Sequence, residues 1–240
     1  MIFKRNSVYW LLVYTIVLGG FWGLCILGSN VVTTMKQEDL VAHRKCIIID
    51  AGHGGVDGGT TSCTGVTESN LNLEIALRLN EFLHLIGIDT KMIRTTDCSV
   101  YTSGETIAAK KVSDLKERVR IVESTGNSIL VSIHQNYFAQ SIYSGAQVFY
   151  GNHKESRTIA SKLQKTLVNT VNPGSKRTEK NAKGVYLMEH VSCPAILVEC
   201  GFLSNPKEEA LLRSADYQIK LCCIIGTTLS DFINSYPSIT

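Results

Sequence analysis

The stretch Ile47-Ile48-Ile49-Asp50-Ala51-Gly52-His53-Gly54-Gly55 constrains this chain more than any other. A run of β-branched residues that breaks off in glycines reads as a buried strand delivering one histidine into a turn at its carboxyl end. In open α/β sheets, sites form at that end of the strands. Two later apolar runs are expected to stop in the same way, Ile129-Leu130-Val131-Ser132-Ile133 on His134 and Ala195-Ile196-Leu197-Val198 on Glu199. With Glu68 at a helix start close behind the first strand, two His and two Glu come together, which is the composition of a hydrolytic zinc site.

The rest of the chain supplies a sheet for those strands. Leu71, Ile75, Leu79, Phe82 and Ile86 recur at helical spacing and end at Gly87, so an amphipathic helix packs on the sheet with Glu68 in its first turn. Further strands are predicted over Cys46–Asp50, Ile88–Ile93, Ser128–Ile133, Gly145–Tyr150, Gly184–Met188 and Pro194–Glu199. Helices are predicted over Asp114–Glu123, Glu155–Val171, Glu208–Arg213 and Tyr217–Ile233. Alternation of strand and helix gives an α/β fold, a single domain with a twisted, mostly parallel six-stranded sheet and helices on both faces.

Ahead of that domain, Lys4 and Arg5 precede an uncharged segment, Val8 to Gly28, which at about 1.5 Å per residue reaches roughly 30 Å, enough to cross a bilayer. Basic residues before an apolar run suit a signal peptide or a signal anchor. No small-x-small cleavage site follows, which favours the anchor. The expected organisation is therefore an anchor or signal peptide over 1–30, a linker over 31–45 and a catalytic domain over 46–235 that works outside the membrane. The 24 basic and 21 acidic residues nearly cancel, so nothing suggests a nucleic-acid partner. Eight cysteines occur without a C-x-x-C pair, several of them inside apolar runs. They read as small buried hydrophobes, with a disulfide framework as the alternative that export would permit.

A catalytic zinc takes three protein ligands and leaves one position for water, whose proton a nearby carboxylate must accept. His53, Glu68 and His134 would be the ligands and Glu199 the base. Each has a plain explanation by itself: a turn residue, a helix-start charge favoured by the dipole, a core histidine and a strand-end carboxylate. Strands ending in His, His and Glu at one edge of a sheet have no packing reason to do so. Asp57, in Gly-Val-Asp-Gly-Gly, could be a fourth ligand, but such a turn more often uses Asp to brace its backbone. Cys200 would be a rival nucleophile, although strand alternation turns it to the face opposite Glu199 and makes it a buried thiol. Arg94 could touch substrate or pair with Asp97. Cys222 and Cys223, on an apolar helix, are packing residues.

These residues resemble the zinc-dependent N-acetylmuramoyl-L-alanine amidases of the third amidase type. The resemblance is carried by Ile49 to Gly55, by Glu68 with Leu71-Asn72-Leu73, by Arg94 with Asp97, by Ser132-Ile133-His134-Gln135-Asn136, and by Val198-Glu199-Cys200-Gly201-Phe202-Leu203-Ser204-Asn205. It implies Zn2+ held by His53, Glu68 and His134, with Glu199 as catalytic base; Arg94 and Asn136, which lie in the matching motifs, are candidate substrate contacts. The implied reaction is cleavage of the amide between N-acetylmuramic acid and L-alanine in peptidoglycan. Lys111 to Arg118 and Asn172 to Arg177 look like the germination-specific branch, where peptide removal prepares muramic δ-lactam in the spore cortex. Cys200, commonly Leu or Met in the wider family, departs from the pattern in packing only. The compact form, with no wall-binding repeats and no room for a plugging helix between His134 and Gly145, leads to the expectation of an extracytoplasmic activator protein. Other zinc exopeptidases or deacylases, and a wall-binding protein without turnover, are the alternative readings.

Overall fold

The computed structural model describes residues 45–235, together with residues 15, 18–20 and 22–24 of the N-terminal segment. The expected anchor and linker therefore lie almost wholly outside the described residues. Among those described, no helix is long and apolar enough to cross a membrane.

Strands β1 (Cys46–Ala51), β2 (Thr90–Met92), β3 (Ser128–Asn136), β4 (Gln147–Tyr150), β5 (Lys180–Asn181) and β6 (Ala195–Phe202) form one six-stranded sheet in the order β2-β1-β3-β6-β4-β5. β2, β1, β3 and β6 run parallel, and β4 is antiparallel to β6. The helices are α1 (Glu68–Leu85), α2 (Ile107–Glu123), α3 (Ser156–Thr170), α4 (Tyr186–His190), α5 (Pro206–Leu212) and α6 (Ala215–Ser235).

The isoleucine run explains why β1 is central. Ile47 and Ile49 face a core layer completed by Leu71, Ile75 and Leu79 of α1, Leu163 of α3 and Ile225 of α6. Ile48 points the other way, into a second layer with Leu130, Val122 of α2 and Met188 of α4. All three isoleucines are fully buried. Each contributes about 2–3 kcal/mol of transfer free energy, and only a strand covered on both faces can bury them together.

Several expected boundaries move. α2 begins at Ile107 rather than Asp114, because the Thr106 hydroxyl caps it by accepting from the Ala109 amide at 3.2 Å. β2 is three residues long instead of six. The strand expected over Gly184–Met188 is not one: Gly184 turns the chain at φ 84° and Tyr186–His190 is helical. The short β5 precedes it, at Lys180–Asn181. Leu187 and Met188 are consecutive and both buried, a pattern that a short run of apolar residues cannot assign to strand or helix.

Candidate metal centre

His53 lies just past the end of β1, and the turn that carries it is unusual. Its φ is 61°, a left-handed backbone that residues other than glycine rarely adopt. Reciprocal backbone hydrogen bonds between Gly54 and Asp57, at 2.8 and 3.2 Å, close the turn. From α2, Arg118 Nη2 donates to the His53 carbonyl at 2.7 Å, while the same guanidinium bonds the buried Asp50 carboxylate and takes Asp114 through Nε at 2.6 Å. Ser132 also donates to Asp50, at 2.6 Å. Burial raises the Asp50 pKa, but the Arg118 charge and the Ser132 and Arg118 hydrogen bonds together outweigh it and hold the carboxyl below its usual range.

Glu68 opens α1, where the helix dipole favours a carboxylate. Its side chain is nearly inaccessible and fully engaged: Oε2 accepts from the Thr60 amide and hydroxyl at 3.1 and 3.2 Å, and Oε1 from the Gln135 amide at 3.2 Å. Oε1 also lies 3.3 Å from His53 Nε2 and 3.0 Å from His134 Nδ1. Burial raises the Glu68 pKa, yet the hydrogen bonds of His134 and His53 more than reverse that and keep it well below the ordinary carboxylate range.

His134 and Glu199 do not end their strands, as the sequence had suggested. They sit inside β3 and β6, directly opposite each other in the parallel register. The register slips between His134 and Asn136, an irregularity of the kind that re-aims side chains beside active sites. The His134 ring packs so closely on Gly52 that a Cβ there would come within 2.2 Å of Nε2. A Cβ on Gly59 would likewise meet Glu68 Oε2 at 2.7 Å and His53 Cδ2 at 2.8 Å. The glycines of this loop clear space for the two imidazoles and the carboxylate.

One ligand atom from each of His53, Glu68 and His134 lies within 4.8 Å of the others. The two imidazole rings meet edge to face at 5.0 Å. Two imidazole nitrogens and one carboxylate oxygen that converge in this way are a donor set that suits a divalent metal with an open position. A second observation fits the same group: Glu199 Oε2 is buried with no hydrogen-bond partner. Burial, with the Glu68 charge adding to it, pushes the Glu199 pKa up to about 7 despite the opposing histidines. A carboxylate left unpaired beside three metal-competent groups is poised for a proton that something in the site must bring.

The family profile described as N-acetylmuramoyl-L-alanine amidase matches residues 47–230. The chain belongs to this amidase family. Among its relatives, the germination-specific N-acetylmuramoyl-L-alanine amidase of Bacillus subtilis is 35% identical over 196 residues, which cover 79% of this chain and 80% of that one. Two solved amidase structures share the fold. The CwlD amidase from Clostridioides difficile, in complex with the GerS lipoprotein, superposes with a TM-score of 0.76 at 35% identity, covering 80% of this chain and all of that one. An N-acetylmuramoyl-L-alanine amidase from Clostridium difficile 630 gives 0.70 at 31%, covering 80% and 98%.

Within this amidase fold, the other expected residues fall out as follows. Arg94, expected to touch substrate or pair with Asp97, turns inward instead. It is 3% exposed, and its guanidinium donates to the carbonyls of Ala51, Gly52, Ser69 and Thr96 at 2.8–3.0 Å. Four carbonyls, from the end of β1, the start of α1 and the loop after β2, need a buried multidentate donor, and arginine supplies one. Asp97 accepts from the Gly55 amide at 2.9 Å. Asn136 is half-buried near the end of β3, two residues beyond His134. Cys200 is buried opposite Glu199, its thiol pKa raised by burial, which makes it a packing residue. All seven cysteines among the described residues are free thiols, but Cys63 and Cys98 are exposed rather than packed.

Two residues take roles that were not expected of them: Asp57, expected to brace its glycine turn or to be a fourth ligand, accepts from His53 Nδ1 at 2.9 Å, and Arg118, at the end of the Lys111 to Arg118 stretch, reaches the His53 carbonyl from 65 residues away. The only available signal for either was the presence of an acidic residue in a glycine turn and of a basic one on an amphipathic helix.

Proposed function

We propose that the chain is a zinc-dependent N-acetylmuramoyl-L-alanine amidase, with His53, Glu68 and His134 as metal ligands and Glu199 as catalytic base. Zn2+, when bound, supplies Lewis-acid polarisation and lowers the pKa of water in the open position. His53 presents Nε2 because Asp57 occupies Nδ1, and His134 presents Nδ1 because its other side rests on Gly52. Glu199 takes a proton as water adds to the lactyl carbonyl carbon. It returns that proton to the L-alanine nitrogen as the amide C–N bond breaks, leaving the lactyl carboxylate on the glycan and a free stem peptide. Asn136, two residues beyond His134 on β3, is the proposed substrate contact.

The unpaired Oε2 of Glu199 is the observation that carries this assignment. A merely structural carboxylate in that position would be bonded or solvated.

The germination-specific relative at 35% identity supports the spore cortex as the substrate, with this step preceding muramic δ-lactam formation. Residues 1–30 then act as the anchor or export signal and 31–45 as the linker to the catalytic domain of 46–235. This domain works outside the membrane, in the intermembrane or cortex space of the forming spore. The lipoprotein bound to the similar CwlD amidase supports an extracytoplasmic activator for this chain as well.

The test is digestion of purified cortex peptidoglycan by the full-length protein, with and without a chelator, and mass spectrometry of the products. Chelator-sensitive release of stem peptides beginning with L-alanine is expected. Release of any other fragment, or turnover that ignores the chelator, refutes the assignment.

A further inference from the structure

We infer that Asp57 and Lys111 are a positioning pair for the His53 imidazole and set how tightly it holds a metal; this rests on the ligand assignment proposed above. His53 Nδ1 lies 2.9 Å from Asp57 Oδ2, and the other oxygen of the same carboxylate lies 3.0 Å from Lys111 Nζ. A histidine whose Nδ1–H is held by a carboxylate has one tautomer and one ring orientation available, and its Nε2 is the more basic for it.

His53 needs that support more than an ordinary ligand does. Its positive φ of 61° means that local preference does not hold it in place. What holds it is α2. Lys111, Asp114 and Arg118 recur on one face of that helix at spacings of three and four. Lys111 engages Asp57, Asp114 accepts from Arg118 Nε at 2.6 Å and from the Val100 amide at 2.6 Å, and Arg118 donates to the His53 carbonyl. Backbone and ring of one ligand are thus both fixed from a single helix face. Arg118 is buried and Asp114 partly so, whereas the Lys111 side chain is 53% exposed. The pair is the outward-facing end of the chain of contacts that reaches the metal group.

Zinc affinity of the full-length protein, measured by competition with a chromophoric chelator at neutral pH, tests the pair. Asp57→Ala should weaken zinc binding by about 10- to 100-fold. Asp57→Asn should weaken it less, because the amide oxygen still accepts the Nδ1 proton. Lys111→Met should weaken it by about two- to fivefold, as expected for a half-exposed ion pair, and Lys111→Arg should restore it. In the zinc-loaded protein, the downfield proton resonance of the His53 Nδ1–H should persist in Asp57→Asn and vanish in Asp57→Ala. Thermal melts of the metal-free proteins establish that the variants fold; if Asp57→Ala does not, Asp57→Asn and Lys111→Met carry the comparison. A parent that binds zinc while the variants match its affinity overturns the pair alone. Tighter binding in Lys111→Met also overturns it, since the ammonium would then act by repulsion. A parent without zinc affinity overturns both the pair and the ligand assignment.

Discussion

His134 and Glu199 face each other across adjacent parallel strands, register partners on β3 and β6, so the proposed ligand and the proposed base are set by the same backbone hydrogen bonds. Neither can move without the other while the sheet is intact. The arrangement separates two tasks, since one side chain converges on Glu68 and the other keeps an oxygen unpaired. Glu199→Gln should keep the metal and lose about 10²- to 10⁴-fold in turnover, the usual contribution of a general base. His134→Ala should lose the metal itself. Elemental analysis of the purified variants beside a cleavage assay decides, and a Glu199→Gln protein of near-parental activity would sink the assignment.

The raised pKa of Glu199, about 7, links the metal-free protein's stability to pH. The folded state holds a proton that the unfolded chain releases in the ordinary carboxylate range. Its contribution to stability is therefore fully present at low pH and is lost as pH rises through about 7, by on the order of 3 kcal/mol. Urea unfolding of the metal-free protein across this range should show the loss, and Glu199→Gln should lack it. Parallel pH profiles for the two proteins would remove Glu199 as its source.

Gly52→Ala should abolish tight zinc binding while leaving most of the domain folded. The added methyl would stand 2.2 Å from His134 Nε2, 2.3 Å from Cε1 and 2.7 Å from Cδ2, so the ring must leave its place. Zinc stoichiometry and a circular dichroism spectrum test this together. Parental stoichiometry would show that His134 tolerates the displacement.

Arg118→Met should be among the most damaging single substitutions outside the metal group. It leaves Asp50 charged and buried without its partner, which costs about 3–5 kcal/mol, and frees the His53 carbonyl. Denaturant midpoints of the metal-free proteins measure the effect. A change below about 1 kcal/mol would mean that water or another cation replaces the guanidinium.

The cysteines should divide by reactivity. Cys63 and Cys98 are exposed and should react with a thiol reagent in the native protein. Cys200 and Cys222 are buried, with burial pushing the Cys222 thiol up to about 12, and should react only on unfolding. Mass spectrometry of peptides labelled before and after denaturation tells the groups apart. Early labelling of Cys200 would contradict its place in the core.

Local pattern carried a large part of this protein. The isoleucine run of β1 and the helical spacing from Leu71 to Leu79 specify buried strand and packed helix, because burial on one face or two writes its period into the sequence. The residue types at positions 53, 68, 134 and 199 were legible for the same reason: a charged or imidazole side chain interrupting apolar sequence stands out. Periodicity is silent about what lies across the sheet. That His134 opposes Glu199 depends on the β3–β6 register, which the two core layers set jointly. That Arg94 serves four carbonyls follows from the hydrogen-bonding demand of a buried turn whose shape only the folded chain has. The support of His53 by Arg118, and of Asp57 by Lys111, likewise exists only once α2 has docked beside β1, because a contact between residues dozens of positions apart is decided by packing and leaves no local period to read.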